Sequence, residues 1–327
     1  MNIKYIKESI RSIYDFSVDA ISILDKGMSG RKYIITENGV RYIFKLFDCD
    51  EKNIINIIKN ETLFFQKKVL MPDIIPQFIG GKLYTKVENN VYGIMYRFLP
   101  GKEMLRLNTH SVEKLAKLLA FIHSLSLLKN KEKNIYDIKK IKKVFDEKYT
   151  HLKGIHIFNK SLKHTIIEVL SIKHSILDEY KDFTIETHSK QVIHGDFHQR
   201  NVLCHNNSIY LLDFEKSRCD SKYIELIRSL HAICFKGDFS DFKYNRARIF
   251  LEEYKKHSKI NSRELFNSIH IDIIKKCNTW LEENLLLDSG FIKKPNIKLL
   301  LRRELMTMRY FKKNKEVYIK KIMLLID

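Results

Sequence analysis

Val192-Ile193-His194-Gly195-Asp196-Phe197-His198-Gln199-Arg200-Asn201-Val202-Leu203, with Leu211-Leu212-Asp213-Phe214 shortly after it, is the stretch on which the fold turns. Apolar Val192-Ile193 runs into His194-Gly195-Asp196, and Asn201 stands five residues beyond Asp196. Val202-Leu203 and the apolar run 209–212 bracket Asn206-Asn207, which reads as a short hairpin. Asp213 ends the second strand. The layout is a loop bearing an Asp and an Asn, then a hairpin, then a second Asp at a strand end.

Upstream, residues 31–36 and 40–47 flank Glu37-Asn38-Gly39. Asn-Gly between two β-rich runs predicts a hairpin. Side chains alternate along a strand, so Ile43, Lys45 and Phe47 share a face. A lysine there either snorkels at a rim or points at an anion. Residues 51–70 read as a helix, with Ile54, Ile58, Glu61 and Phe65 on one stripe. Glu61 therefore lies on the apolar side, where an unpartnered charge is costly. Pro72 and Pro76 follow that helix. Residues 83–85 and 92–98 predict two more strands around a turn near Asn89-Asn90.

Pro100-Gly101 breaks the pattern, and residues 111–128 then read as a helix with Leu115, Leu118, Leu119, Ile122 and Leu125 on one face. Further helices are expected at 162–180, 222–235, 244–257, 263–286 and 298–325. The class is α+β: strands with one helix over the first hundred residues, helices over the rest. The boundary falls near 99–101, giving segments 1–98 and 99–327.

The chain has 327 residues, enough for two cores, and its 44% apolar content argues against disorder. Its net charge of +20 fits either a polyanionic partner or codon bias in a Lys-, Ile- and Asn-rich sequence. Codon bias is favoured, because the basic residues are spread among acids and form no stripe or tail. Five cysteines with no CxxC pair indicate reduced thiols rather than a disulfide framework or zinc site. The start of the chain holds no long apolar run, and none elsewhere reaches about 18 residues. A cytoplasmic protein with no membrane association is expected.

A carboxylate that takes a hydroxyl proton, together with an amide oxygen and a second carboxylate that hold Mg²⁺ against phosphates, is what phosphoryl transfer needs. His-Gly-Asp, four residues, Asn, a short hairpin and apolar-apolar-Asp-Phe resemble the aminoglycoside phosphotransferase superfamily. That superfamily includes the choline kinases and is similar in fold to the protein kinases. The resemblance implies a bilobal protein-kinase-like fold, with 1–98 as a nucleotide-binding N-lobe and 99–327 as a C-lobe carrying the catalytic loop, metal site and acceptor site. It implies transfer of the γ-phosphoryl of ATP or GTP to a hydroxyl of a small molecule. Asp196 would be the base, with Asn201 and Asp213 as Mg²⁺ ligands. His194 would brace the loop, and Glu225, where an Asp is usual, would order it. His198 would either touch substrate or cap the loop.

By the same resemblance, Gly27-Met28-Ser29-Gly30 is a nucleotide loop in which Gly27, Ser29 and Gly30 approach phosphates. Lys45 would pair the α- and β-phosphates, and Glu61 would hold Lys45, with Glu51 as its rival. The adenine would lie against residues 95–98, including Met95, Tyr96 and Phe98. Glu215 replaces the glycine of the protein-kinase Asp-Phe-Gly and suggests a fixed loop.

The acceptor is less legible. From Phe291 to Asp327 there are eleven Lys and Arg against three Glu and Asp, which does not suit a polycation. Asp272, Glu282, Glu283 and Asp288 offer some acid just before, and Trp280 would stack on an acceptor or pack a core. A hydroxylated metabolite or sugar is as plausible as an aminoglycoside. The rival readings are a non-catalytic kinase-like structural or binding protein, and a nucleic-acid-binding protein suggested by charge alone. Base, Asn, metal Asp and Lys45 are all present, which speaks against the first; no nucleic-acid motif supports the second.

Overall fold

The structure is a computed structural model. It describes residues 3–24, 31–125, 134–153, 160–187, 190–206, 208–237, 240–277 and 296–326. The chain divides into two compact units, Met1–Leu105 with Arg200–Ser217, and Arg106–Gln199 with Arg218–Asp327.

The first unit is built on an antiparallel sheet. Its strands are β1 (Ala20–Ile23), β2 (Lys32–Glu37), β3 (Val40–Asp48), β4 (Ile74–Ile75), β5 (Thr85–Glu88) and β6 (Val91–Arg97). They run in the order β1-β2-β3-β6-β4, with β5 also paired to β6. The β2–β3 hairpin closes as expected at Asn38-Gly39. Both residues take positive φ, 48° and 73°, which is the geometry of the two-residue turn that matches strand twist. Asn90 likewise turns at φ 58° before β6.

The sheet carries two helices rather than the one expected, α1 (Ile3–Tyr14) and α2 (Glu51–Gln66). Ile6, Ile10 and Tyr14 of α1 are buried against Tyr33, Ile35, Phe44, Leu46 and Met95 of the sheet. In α2, Asp50 caps the first turn by accepting from the Asn53 N–H at 2.7 Å. Its buried stripe is Ile54, Ile57, Glu61 and Phe64, not Ile54, Ile58, Glu61 and Phe65. Ile57 packs with Phe47, Tyr92 and Ile94, and Phe64 meets the Phe214 ring at 5.2 Å, which leaves Phe65 56% exposed.

The hairpin of residues 202–205 and 208–211 forms as predicted. It also pairs with Lys102–Glu103, with Leu203 opposite Glu103. This edge pairing groups Arg200–Ser217 with the first unit rather than with everything beyond residue 98.

The second unit is mainly helical. Its described helices are α3 (Thr109–Ser124), α4 (Ile138–Lys153), α5 (Lys160–Glu179), α6 (Lys222–Cys234), α7 (Tyr244–His257), α8 (Ser262–Cys277) and α9 (Ile297–Leu324). The 3.6-residue period placed all of these except α4. In that one, lysines at 139, 140, 142 and 143 interrupt the apolar stripe. Helix α3 packs on α7 and α5 on α9. Two short ribbons complete the unit: Asn134–Asp137 with Thr184–Thr187, and Gln191–Ile193 with Arg218–Asp220. No helix among the described residues is long and apolar enough to cross a membrane.

Candidate active site

Within the first unit, Lys45 is the centre of a charged cluster. Strand β3 carries it, 5% exposed, on the inner face next to Phe47, whose ring centroid lies 4.5 Å from Nζ. Its Nζ donates to Asp213 Oδ1 at 2.7 Å and to Glu215 Oε2 at 3.0 Å. Lys32, directly across the hairpin from Lys45, puts its Nζ 3.5 Å from Asp213 Oδ2. Burial alone would lower the Lys45 pKa, but Asp213 and Glu215 outweigh it and raise the pKa above its ordinary value. The cluster thus pairs two lysines with two carboxylates from one short turn.

Asp213 stands two residues past the hairpin. Its backbone is left-handed, φ 67° and ψ 69°, and starts a 3-10 turn at Phe214–Lys216. Left-handed backbone is unfavourable for a residue with a Cβ, so the surroundings must hold it. They do so through α2: Phe64 packs on Phe214, and Asn60 Nδ2 donates to the Ser217 carbonyl at 3.0 Å. Asn201, 9% exposed, sits at the same open end of the hairpin, on its other strand, where its carbonyl accepts from the Leu212 N–H at 2.9 Å.

Glu61 does not pair directly with Lys45, contrary to expectation. Its carboxylate, 2% exposed, accepts from the Tyr96 hydroxyl at 3.0 and 3.3 Å. Burial pushes the Glu61 pKa up to about 8, against the Tyr96 hydrogen bond and the Lys45 charge, so the group is protonated at neutral pH. Lys45 already faces two carboxylates, and a third charge would be uncompensated. Glu51, the rival, accepts instead from the Tyr84 hydroxyl at 2.7 Å. Of the strand expected to face adenine, Met95 is fully buried between Phe44 and Ile75, and Tyr96 is committed to Glu61. The Phe98 N–H donates to the Arg41 carbonyl at 3.1 Å, and the Arg41 guanidinium lies 4.1 Å from the Phe98 ring centroid.

In the second unit, Glu225 organises the loop that bears Asp196. Ser221 caps α6, and Glu225 lies in its first turn, 2% exposed. Its carboxylate accepts from the backbone N–H of His194 at 3.2 Å and, more closely, from that of Gly195. His123 of α3 adds a third bond, Nε2 to Glu225 Oε2 at 3.0 Å, and its Nδ1 meets the Tyr254 hydroxyl at 2.8 Å. Burial pushes Glu225 up, but His123 and the Gly195 N–H more than offset it and hold the carboxyl below its ordinary pKa. Burial holds His123 below its own ordinary pKa despite Glu225. A neutral ring with Nε2–H donating to Glu225 and Nδ1 accepting from Tyr254 satisfies every partner.

Gly195 takes φ 84°, which a side chain would strain, and so lets two successive N–H groups face one carboxylate. His194 is fully buried, and its Nδ1 accepts from the Asp196 N–H at 3.3 Å. Asp196 itself is half-buried, with His198 Nε2 at 3.9 Å from its Oδ2.

The model of the phosphotransferase enzyme family matches residues 20–255 of the chain. The chain belongs to that family. Solved structures agree on the fold. A spectinomycin phosphotransferase in complex with ADP and spectinomycin is 17% identical, with 99% of each chain covered and a TM-score of 0.62. An amicoumacin kinase in complex with AMP-PNP and Ca²⁺ is 13% identical over 94% of this chain and 93% of that one, at 0.62. Choline kinase from Cryptosporidium parvum Iowa II is 14% identical over 99% of both chains, at 0.54. No curated protein sequence matches. The α+β class, with its N-terminal antiparallel sheet and helical C-terminal part, is therefore that of the aminoglycoside phosphotransferase and choline kinase superfamily.

Three features of these two clusters carried no sequence signal of their role: Lys32, the Glu215 bond to Lys45, and the His123–Tyr254 support of Glu225. His123 had one signal, a polar side chain on the apolar face of α3 between Ile122 and the helix end. The expected phosphate loop, Gly27, Ser29 and Gly30, lies outside the described residues, as do Trp280, Glu282, Glu283 and Asp288.

Proposed function

We propose that the chain transfers the γ-phosphoryl of ATP or GTP to a hydroxyl of a small molecule. The observation that carries this reading is the 2.7 Å pair between Lys45 and Asp213, which brings together a buried strand lysine and a carboxylate 168 residues away. Such a pair suits a site that neutralises phosphate charge on one side and holds a metal on the other. In this reading Lys45 receives the α- and β-phosphates, Gly27, Ser29 and Gly30 supply backbone donors, and residues 95–98 border the adenine.

Asp196 takes the proton from the acceptor hydroxyl. His194 and Glu225 do not touch substrate; they fix the backbone on which Asp196 stands. Asn201 and Asp213 would hold Mg²⁺. One amide oxygen and one carboxylate form a hard-oxygen set that fits this ion, since Mg²⁺ keeps few protein ligands and completes its shell with water and phosphate. Among the described residues no cluster of three His, Cys, Asp or Glu side chains offers a competing metal site. Bound Mg²⁺ would neutralise phosphate charge and orient the γ-phosphoryl.

Five free cysteines fit a cytoplasmic setting. The non-catalytic alternative is disfavoured because base, amide, metal carboxylate and lysine are all retained. The test is a screen of hydroxylated metabolites, sugars and aminoglycosides for ADP or GDP release. Asp196→Asn is expected to lower turnover by about 10²–10⁴-fold while ADP binding by calorimetry stays intact. Unchanged turnover removes Asp196 from the role of base, and no release with any acceptor favours the binding-protein alternative.

A further inference from the structure

Lys45 has a different anchor from the one that the position of Glu61 on α2 suggests. The carboxylate on α2, Glu61, bonds to the Tyr96 hydroxyl, while the Lys45 Nζ bonds to two acids of a single turn, Asp213 at 2.7 Å and Glu215 at 3.0 Å. Asp213 is the expected metal ligand, so the acid of that turn left to Lys45 is Glu215. Helix α2 nevertheless governs this geometry, because Asn60 and Phe64 hold the turn through Ser217 and Phe214. The charges agree: Lys32 and Lys45 balance Asp213 and Glu215, and Glu61 is kept protonated by its burial.

We propose that Glu215 is the positioning residue for Lys45, holding its ammonium where nucleotide phosphates bind, and that Glu61 does not serve this purpose. This rests on the kinase reading above. Glu215 does not touch the nucleotide; it acts through Lys45. Its side chain, 36% exposed, lies on a turn whose packing comes from Phe214, so replacing it leaves that packing in place.

Calorimetry with ADP, in EDTA and again with Mg²⁺, separates the alternatives. Wild type, Glu215→Gln, Glu61→Gln, Lys45→Met and the double variant Glu215→Gln/Lys45→Met are compared, with melting curves to verify folding. Glu215→Gln is expected to weaken ADP binding about tenfold with Mg²⁺, when Asp213 is engaged by the metal, and by less in EDTA, and Glu61→Gln by less than about twofold in either. In the Lys45→Met background, Glu215→Gln is expected to change nothing, the signature of action through the lysine. Glu215→Asp, which keeps the charge, is expected to recover part of the loss, and it carries the same cycle if the Gln variant does not fold. The proposal is overturned by wild-type affinity in Glu215→Gln under both conditions, or by a loss that persists without Lys45, which would make Glu215 a ligand of the metal or the nucleotide. A wild-type chain that binds no ADP sinks the kinase reading and this inference with it.

Discussion

Glu61 and Glu225 are equally buried, at 2% exposure, yet they carry opposite charge states. The difference lies in their donors. Glu61 receives one hydroxyl and stays protonated to about pH 8; Glu225 receives two backbone N–H groups and a histidine N–H and stays ionised. Opposite pH signatures follow. Between pH 4.5 and 8 the unfolded chain loses the Glu61 proton while the folded chain keeps it, so stability falls as pH rises through that window. Glu61→Gln, already neutral, is expected to gain on wild type across it, by about 1 kcal/mol or more at pH 8, read as a Tm difference that grows with pH. A Tm difference independent of pH would show that Glu61 is charged in the fold. For Glu225 the folded pKa is depressed, so its contribution is present above about pH 4.5 and is lost as pH falls through the folded value. Glu225→Gln is expected to cost about 2 kcal/mol at pH 7, with the deficit shrinking below pH 4.5 in acid melts. The family resemblance gave Glu225 the task of ordering the loop. It was silent on which donors it meets, because His123 lies 102 residues away.

Among the elements, the inner strands β3 and β6 and helix α2 set the site by what they exclude. Gly93 of β6 faces Phe44, the neighbour of Lys45 on β3; a Cβ at Gly93 would sit 2.1 Å from the Phe44 Cζ. Phe44 is 1% exposed, so its ring has nowhere to retreat. Gly93→Ala is therefore expected to destabilise the protein by about 1–3 kcal/mol through overpacking, checked by urea unfolding; a neutral variant would mean that β6 shifts freely on β3. Hairpins and helices were legible where local chemistry decides them, as at Asn38-Gly39 and along residues 244–257. The face of α2 was not. Ile54 and Glu61 belong to both candidate stripes, and only the ring of Phe214, 150 residues on, selects Phe64 over Phe65. Helix α1 was not expected, although Ile6, Ile10 and Tyr14 recur every four residues: its buried stripe is a single residue wide and becomes decisive only against the sheet.

For the molecule as a whole, the phosphotransferase family was legible because its motif residues cluster between 192 and 225, whereas no such local run of residues marks an acceptor. One of the acids that seemed available for a cationic acceptor is already committed. Asp272 is 2% exposed and lies 2.8 Å from His231 Nδ1, with Lys276 bonded to it one turn away. Lys276 and His231 hold its pKa well below the ordinary value against burial, so it is an ionised acid already neutralised by its neighbours. Glu304 is likewise bound, accepting from buried Lys173 at 2.8 Å. With those two acids engaged and a net charge of +20, a polycation meets repulsion without compensating carboxylates at these positions. Neutral or anionic hydroxylated acceptors are therefore expected to stimulate ADP release at least about tenfold more than polycationic aminoglycosides at low salt. For an anionic acceptor, KM is expected to rise with added salt as the attraction is screened. An aminoglycoside that supports the fastest turnover, with a KM that falls as salt is added, would reverse this assignment and direct attention to acids other than Asp272 and Glu304.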